Sequence, residues 1–112
     1  PQSDNIKNSM ALTFMNLGNA LYSQGKYDDA IYNYKKALEI FNTLPQSDNI
    51  KNSMALTFMN LGNALYSQGK YDDAIYNYKK ALEIFNTLPQ SDNIKNSMAL
   101  TFMNLGVALD NI

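Results

Sequence analysis

The sequence of 112 residues contains no cysteine, histidine or tryptophan, and all nine of its cationic side chains are lysines. The absence of cysteine excludes disulfides, thiolate metal sites and a cysteine nucleophile. The absence of histidine excludes a serine–histidine–aspartate triad and imidazole metal ligands. We therefore expect a protein that is not an enzyme and that uses no metal and no cofactor.

The charge and the hydropathy of the chain exclude further classes of partner. The net charge is −1, so no basic field attracts nucleic acid or an anionic membrane surface. The chain also lacks arginine, the side chain that grips phosphates and base edges bidentately. No run approaches 18 apolar residues, and the start lacks the pattern of a secretory signal. We expect no nucleic-acid partner and no membrane partner, and a cytoplasmic location if the chain is natural.

The chain consists of copies of one 44-residue unit. Residues 1–44 recur unchanged as residues 45–88, and the half unit 89–112 is identical to them through Gly106. The half unit departs at Val107, where Asn19 and Asn63 stand in the earlier copies, and again at residues 110–112. A period of 20 to 50 residues indicates an array whose units bury their apolar faces against their neighbours. We predict a single repeat domain.

Within a unit the apolar residues advance by threes and fours, which predicts two one-faced helices. Ser3 or Asp4 can cap the first helix, and Gly25 suits a left-handed cap at its end. Pro45 disfavours helix at Leu44. We therefore predict helix A over residues 4–23 and helix B over residues 27–43. The whole chain should read A-B-A-B-A. The apolar positions are Ile6, Met10, Phe14, Leu17 and Leu21, then Tyr27, Ala30, Ile31, Tyr34, Ala37, Leu38 and Phe41.

The spacing Phe14-x2-Leu17-Gly18-x2-Leu21, followed by Ala30-x3-Tyr34, resembles the signature of tetratricopeptide (TPR) repeats. The second unit repeats every position, and the half unit repeats those of helix A. The resemblance implies an all-α right-handed superhelix of helix hairpins. Gly18 and Ala30 are expected where helices A and B cross closely, with Phe14, Leu17, Leu21 and Tyr34 around the crossing.

The unit departs from the family pattern in length. It has 44 residues rather than 34, and Asn42 stands in place of the closing proline. In this it is similar to the long-helix repeats of kinesin light chain, which also carry a KY-x2-A stretch followed by ALEI. The matching residues here are Lys26 to Ala30 and Ala37 to Ile40.

The resemblance implies a protein-interaction scaffold, because helix A residues of TPR proteins line a concave groove that holds a peptide. The asparagines Asn16, Asn60 and Asn104 recur once per unit, and an amide can pair with the donor and acceptor of an extended peptide. Met15, Met59 and Tyr66 are the expected apolar contacts. The complete predicted groove is Leu12, Met15, Asn16, Asn19, Tyr22, Ser23, Leu56, Met59, Asn60, Asn63, Tyr66, Ser67, Leu100, Met103, Asn104 and Val107.

A structural role is the alternative to peptide binding. Identical units allow any helix A to fit any helix B, so chains could stack end to end or exchange a terminal helix. The chain would then be a self-associating or designed repeat protein without a natural ligand. Under the peptide-binding interpretation, the chain is a segment of a longer natural array or consists of tandem copies of one natural repeat.

Overall fold

In the computed structural model, which describes residues 3–112, every regular element is an α-helix. The helices are α1 (Asp4–Ser23), α2 (Tyr27–Phe41), α3 (Asp48–Ser67), α4 (Tyr71–Phe85) and α5 (Asp92–Asp110). Helices α1, α3 and α5 are the copies of helix A, and α2 and α4 are the copies of helix B. The predicted all-α A-B-A-B-A arrangement is confirmed. Residues 1 and 2 of the first unit lie outside the described residues. Among the helices described, none is long and apolar enough to cross a membrane.

The ends of helix A follow from local chemistry. The residue before each copy is a serine whose Oγ accepts a hydrogen bond from the backbone N–H three residues later, at 3.2 Å. At the other end Gly25 has a φ of 77°, a left-handed conformation that glycine adopts without strain. Its N–H donates to the Tyr22 carbonyl, and the N–H of Lys26 donates to that of Leu21. These paired bonds close the helix as a Schellman motif. The capping serines are Ser3, Ser47 and Ser91.

Helix B ends two residues earlier than predicted. After Phe41 the chain forms 3₁₀-type turns, since the N–H groups of Thr43 and Leu44 donate to carbonyls three residues back. Gln46 then reaches back, and its Nε2 donates to the carbonyls of Phe41 and Leu44 at 3.0 and 2.8 Å. The residue that follows the proline therefore satisfies carbonyls that the helix end leaves without a partner. The second unit repeats these bonds through Gln90.

Within a unit, helix B packs on one side of helix A, which we call the hairpin face and define by Ala11, Gly18, Leu21 and their counterparts. Ala11 and Gly18 are buried in α1, as are their counterparts in α3. The Tyr34 ring lies so close to Gly18 that a Cβ on this glycine would be 2.6 Å from the ring. Ala30 is also fully buried. The predicted close crossing at Gly18 and Ala30 is confirmed.

Between units, helix A packs on helix B of the preceding unit through a second side, which we call the stacking face. In α3 it consists of Ile50, Thr57, Leu61 and Ala64, all buried, and the counterparts in α5 are buried against α4. The prediction that Leu17 fills the crossing with its own helix B is wrong. Its counterpart Leu105 is buried in α5, which contacts α4 and α3, whereas Leu17 is exposed beside α2. This leucine position therefore faces the preceding unit.

Candidate peptide-binding groove

Two adjoining concavities open along the helix A side of the molecule. The first has a volume of about 270 Å³ and the second about 250 Å³. Both are lined by Tyr22 and Asn63, so they form one groove that runs from the first unit to α5. The first concavity is otherwise lined by Ser23, Asn19, Tyr34 and Asn60, and the second by Tyr66, Tyr78, Asn104 and Val107.

A bridging asparagine organises each step of the groove. The Tyr34 hydroxyl on α2 donates to Asn19 Oδ1 on α1 at 2.7 Å. The same oxygen accepts a second bond from Asn60 Nδ2 on α3 at 3.1 Å. Asn19 thus links helix B of its own unit to helix A of the next. One unit further, Asn63 accepts from Tyr78 at 2.6 Å and from Asn104 at 3.2 Å.

This bonding pattern leaves a donor and an acceptor at every step. Asn19 uses its oxygen twice, so its Nδ2 group remains for a ligand. Asn60 uses its Nδ2, so its Oδ1 remains as an acceptor. Asn63 and Asn104 leave the same two groups in the second step. A peptide group offers the complementary carbonyl and N–H, so an extended chain matches this arrangement chemically.

The groove is electrically neutral, because no ionisable side chain other than tyrosine lines it. Burial raises the pKa of Tyr34 to about 12, and the neighbouring Tyr22 phenol adds to the shift. Burial also holds the pKa of Tyr78 well above its usual range, with smaller effects of Tyr22 and Tyr66. Both phenols are therefore neutral donors at physiological pH. Within residues 3–112 no group of three His, Cys, Asp or Glu side chains could hold a metal ion.

The rim of the groove is formed by two tyrosines of helix A. The Tyr22 hydroxyl lies 3.5 Å from Ser67 Oγ of the next unit. The Tyr66 hydroxyl lies 3.2 Å from Nδ2 of Asn111, which donates to it. Each rim tyrosine also packs against the first tyrosine of helix B, with 5.4 Å between the ring centres of Tyr22 and Tyr27. These contacts hold the rings at the edge of the groove, where both tyrosines are half-buried.

The structure brings eight of the sixteen predicted groove residues together. They are Asn19, Tyr22, Ser23, Asn60, Asn63, Tyr66, Asn104 and Val107. The predicted role of the asparagines that recur once per unit is thereby changed, because Nδ2 of Asn60 and of Asn104 each donates to the asparagine of the preceding unit. Their counterpart Asn16 is exposed on α1 and lies outside both concavities.

The predicted apolar contacts lie elsewhere. Met59 was expected to face a ligand, but only 7% of it is exposed and it packs in the central apolar cluster. Met15 is half-buried against the apolar cluster around Phe41, as is Leu12. Leu56 is half-buried against the central cluster, and Leu100 and Met103 are exposed on α5 outside the groove. Helical spacing places these residues beside the groove, but the four in α1 and α3 pack in or against the apolar clusters, whereas the two in α5 are exposed.

Two groove residues were missed because they belong to helix B. Tyr34 and Tyr78 were assigned to the packing around the helix crossing, yet their hydroxyls reach the groove and hold the bridging asparagines. A signal for this role exists in the sequence. A buried tyrosine needs a hydrogen-bond partner, whereas a phenylalanine would fill the same space without one.

The stacked hairpins with a groove along helix A place the chain among the α-solenoid repeat proteins. The sequence profile of the tetratricopeptide repeat family matches residues 9–87. The chain therefore belongs to the tetratricopeptide repeat family.

The fold is similar to that of the yeast histone chaperone Hif1, described as a scaffold protein that recruits protein complexes to core histones. The TM-score is 0.83 at 16% identity, over 97% of this chain and 46% of Hif1, so the chain spans about half of that protein's length. The first TPR domain of human RPAP3 aligns at 20% identity over 94% of this chain and 99% of the domain. Its TM-score of 0.32 does not indicate a shared global arrangement. No curated protein matches the chain by sequence.

Proposed function

We propose that the chain is a protein-interaction scaffold whose groove binds an extended peptide segment. The observation that carries this proposal is the repeated pair of asparagines, Asn19 with Asn60 and Asn63 with Asn104. Each pair leaves one amide donor and one amide acceptor accessible in a concavity. Membership of a repeat family built for protein binding supports the same conclusion.

The chemistry of the groove favours recognition of the peptide backbone over recognition of side chains. The accessible groups match a peptide bond, and the lining has no ionisable side chain other than tyrosine to select a charged ligand. Tyr22 and Tyr66 add ring surface on which an apolar ligand side chain can pack. We expect broad sequence tolerance and modest affinity.

The experiment uses a ten-residue peptide selected by panning a random displayed library on the full chain. Its affinity for the chain is then measured by fluorescence anisotropy. Replacement of Asn60 and Asn104 by alanine removes both free acceptors but leaves the tyrosine hydroxyls bonded to Asn19 and Asn63. We expect the doubly substituted chain to bind at least tenfold more weakly, since each lost hydrogen bond is worth roughly 1 kcal/mol.

Asn16→Ala is the matched control, because Asn16 occupies the same helix position but lies outside the groove. It should leave the affinity unchanged. Equal losses in both variants, or selection of no peptide at all, would contradict the proposal. Circular dichroism of each variant establishes that the helices remain intact.

Self-association is the second candidate, and a specific observation favours it. Large apolar side chains are exposed on α1 and on α5, among them Ile6, Leu17, Phe102 and Leu109. Surface of this kind marks contact sites in soluble proteins. Light scattering after size exclusion, over a hundredfold concentration range, tests this candidate. A constant mass of 12.6 kDa contradicts it, and a mass that rises with concentration supports it.

A further inference from the structure

The two concavities of the groove are copies of each other in which one shared position differs. Four lining residues of the first recur one unit later in the second, where Asn19, Tyr22, Tyr34 and Asn60 become Asn63, Tyr66, Tyr78 and Asn104. The fifth shared position holds Asn63 in the first concavity and Val107 in the second. Beyond these, Ser23 lines the first concavity only, and Tyr22 lines both. The change from asparagine to valine is therefore the main chemical difference between the two steps.

Position 107 faces the groove independently of the open hairpin face of α5. Asn63 lines the first concavity although α3 is packed between α2 and α4. The place that this residue takes on helix A therefore opens to the groove even where both faces of the helix are covered. Val107 occupies the same place on α5 and is 46% exposed. It thus offers apolar surface to a ligand that lies in the groove.

The two residues present different surfaces to a ligand side chain. Asn63 Oδ1 accepts two hydrogen bonds within the molecule, so its Nδ2 group remains as a donor. A ligand methyl group against this amide would bury a donor without a partner, which is unfavourable. Val107 presents two methyl groups, and the rings of Tyr66 and Tyr78 line the same concavity. Burial of an apolar ligand side chain against these groups is favourable.

We propose that the second concavity selects an apolar side chain of the bound segment and that Val107 determines this specificity. The proposal rests on the proposed binding of an extended peptide in the groove. The ligand is an extended, uncharged segment with an aliphatic residue such as leucine where it reaches Val107. The residue that reaches Asn63 in the first concavity is polar. Because the two steps are otherwise alike, Val107 also defines which concavity the aliphatic residue occupies.

Selection of peptides on two chains tests the preference. One random displayed library of ten-residue peptides is panned on the full chain and, separately, on its Val107→Asn variant. Val107 is exposed, and asparagine stands at this position in the complete units, so the variant should remain folded. We expect peptides from the unsubstituted chain to share an apolar residue at one position, and those from the variant to lack this preference. The same preference in both sets, or none in the first set, would overturn the proposal.

A double-substitution cycle measures the contact itself. One peptide selected on the full chain, and its analogue with alanine in place of the shared apolar residue, are titrated against both chains by fluorescence anisotropy. The analogue should bind the unsubstituted chain about tenfold more weakly, because several buried carbon atoms are lost. On the Val107→Asn chain the two peptides should bind within about twofold of each other. Equal losses on the two chains would mean that the apolar residue packs elsewhere and would overturn the proposal.

Leu109→Asn is the matched control on the same helix. Leu109 is 49% exposed and lines neither concavity, so its replacement should leave the affinity of both peptides unchanged. A loss as large as that caused by Val107→Asn would show that apolar surface anywhere on α5 supports binding, and would reject a specific role of Val107.

The asparagine variants separate this proposal from the binding of a peptide as such. Peptides that lose affinity when Asn60 and Asn104 are replaced by alanine, but bind the Val107→Asn chain unchanged, would retain the groove and overturn the specificity of Val107. Selection of no peptide on the full chain would overturn both proposals. Loss of affinity in the asparagine variants together with the expected cycle at Val107 would support both.

Discussion

Helices α1 and α5 have the same sequence over their first fifteen residues, yet opposite sides of them are buried. In α1 the hairpin face is covered by α2, and the stacking face is open. In α5 the stacking face is covered by α4, and the hairpin face is open. Helix α3, with a helix B on each side, has both faces covered.

The comparison distinguishes two packing contacts that the same amphipathic helix makes, one between units and one within a unit. Ala20 is exposed in α1, while its counterparts Ala64 and Ala108 are fully buried, so this position serves only the contact between units. Gly106 is exposed while Gly18 and Gly62 are buried, so the glycine serves only the contact within a unit. Burial in this molecule is decided by which neighbour is present rather than by residue type.

The largest expected effect concerns the leucine of the stacking face. Leu61 is 3% exposed and Leu17 is 47% exposed, in identical local sequence. Leu61→Ala should therefore lower the free energy of unfolding by about 2–5 kcal/mol, through lost burial and a cavity. Leu17→Ala should lower it by less than about 1 kcal/mol. Urea denaturation followed by circular dichroism measures both, and similar losses would mean that the two environments are alike.

The glycines of the hairpin face should respond with opposite signs. Gly62→Ala places a methyl 2.7 Å from the Tyr78 ring, which is buried and bonded to Asn63. Overpacking of this kind typically costs about 1–3 kcal/mol, more than the roughly 1 kcal/mol that alanine adds in helix propensity. Gly106→Ala meets no neighbour and should raise the free energy of unfolding by up to about 1 kcal/mol. Thermal denaturation shows the two signs directly, and stabilisation by both substitutions would refute the close crossing.

Much of this architecture can be predicted from the sequence, because helix ends depend on nearby residues. Ser3, Gly25 and Pro45 place the helix limits within two residues of those observed. The glycine and alanine of the repeat signature likewise predict where the helices approach closely. Helical periodicity also places Asn19, Asn60 and Tyr22 on a common side of the solenoid.

The remaining features depend on how units meet, which the pattern within a helix does not encode. Leu17 and Gly18 are adjacent, yet one faces the preceding unit and the other faces its own helix B. Periodicity marks both as apolar or small without assigning a neighbour. The bond from Asn60 to Asn19 crosses 41 residues, and the burial of Met59 depends on contacts between helices. Such contacts follow only from the three-dimensional stacking.

The bridging tyrosines test whether the two complete units are equivalent. Tyr34→Phe and Tyr78→Phe each remove one hydrogen bond to a bridging asparagine, so each should lower the free energy of unfolding by about 1 kcal/mol. Both residues are buried to nearly the same extent, and we expect equal effects. A difference above about 1 kcal/mol between them in urea denaturation would show that α5 changes the second unit.

The same tyrosines predict the stability at alkaline pH. Burial raises the pKa of Tyr34 from its ordinary value of 10.0 to about 12, and that of Tyr78 is also raised. A raised pKa means that folding favours the neutral phenol, so this stabilisation is complete below pH 10 and is lost as the pH rises through 10 to 12. The midpoint of urea denaturation should fall over this range. In the chain with phenylalanine at both positions, the midpoint should fall less over this pH range. An identical fall would mean that other titrating groups cause the loss of stability.

The smallest expected effect lies at the helix caps. Ser3 and Ser47 make the same hydrogen bond, with N···Oγ distances of 3.2 Å to Ile6 and Ile50. Ile50 is buried, so the first turn of α3 cannot fray without exposing it, and Ser47→Ala should cost about 1 kcal/mol. Ile6 is exposed, so the first turn of α1 can open locally without loss of apolar contacts. Ser3→Ala should therefore cost only a few tenths of a kcal/mol in the global free energy of unfolding, and instead speed amide hydrogen exchange in the first turn of α1. Equal losses of unfolding free energy for Ser3→Ala and Ser47→Ala would mean that the first turn of α1 is held as firmly as that of α3.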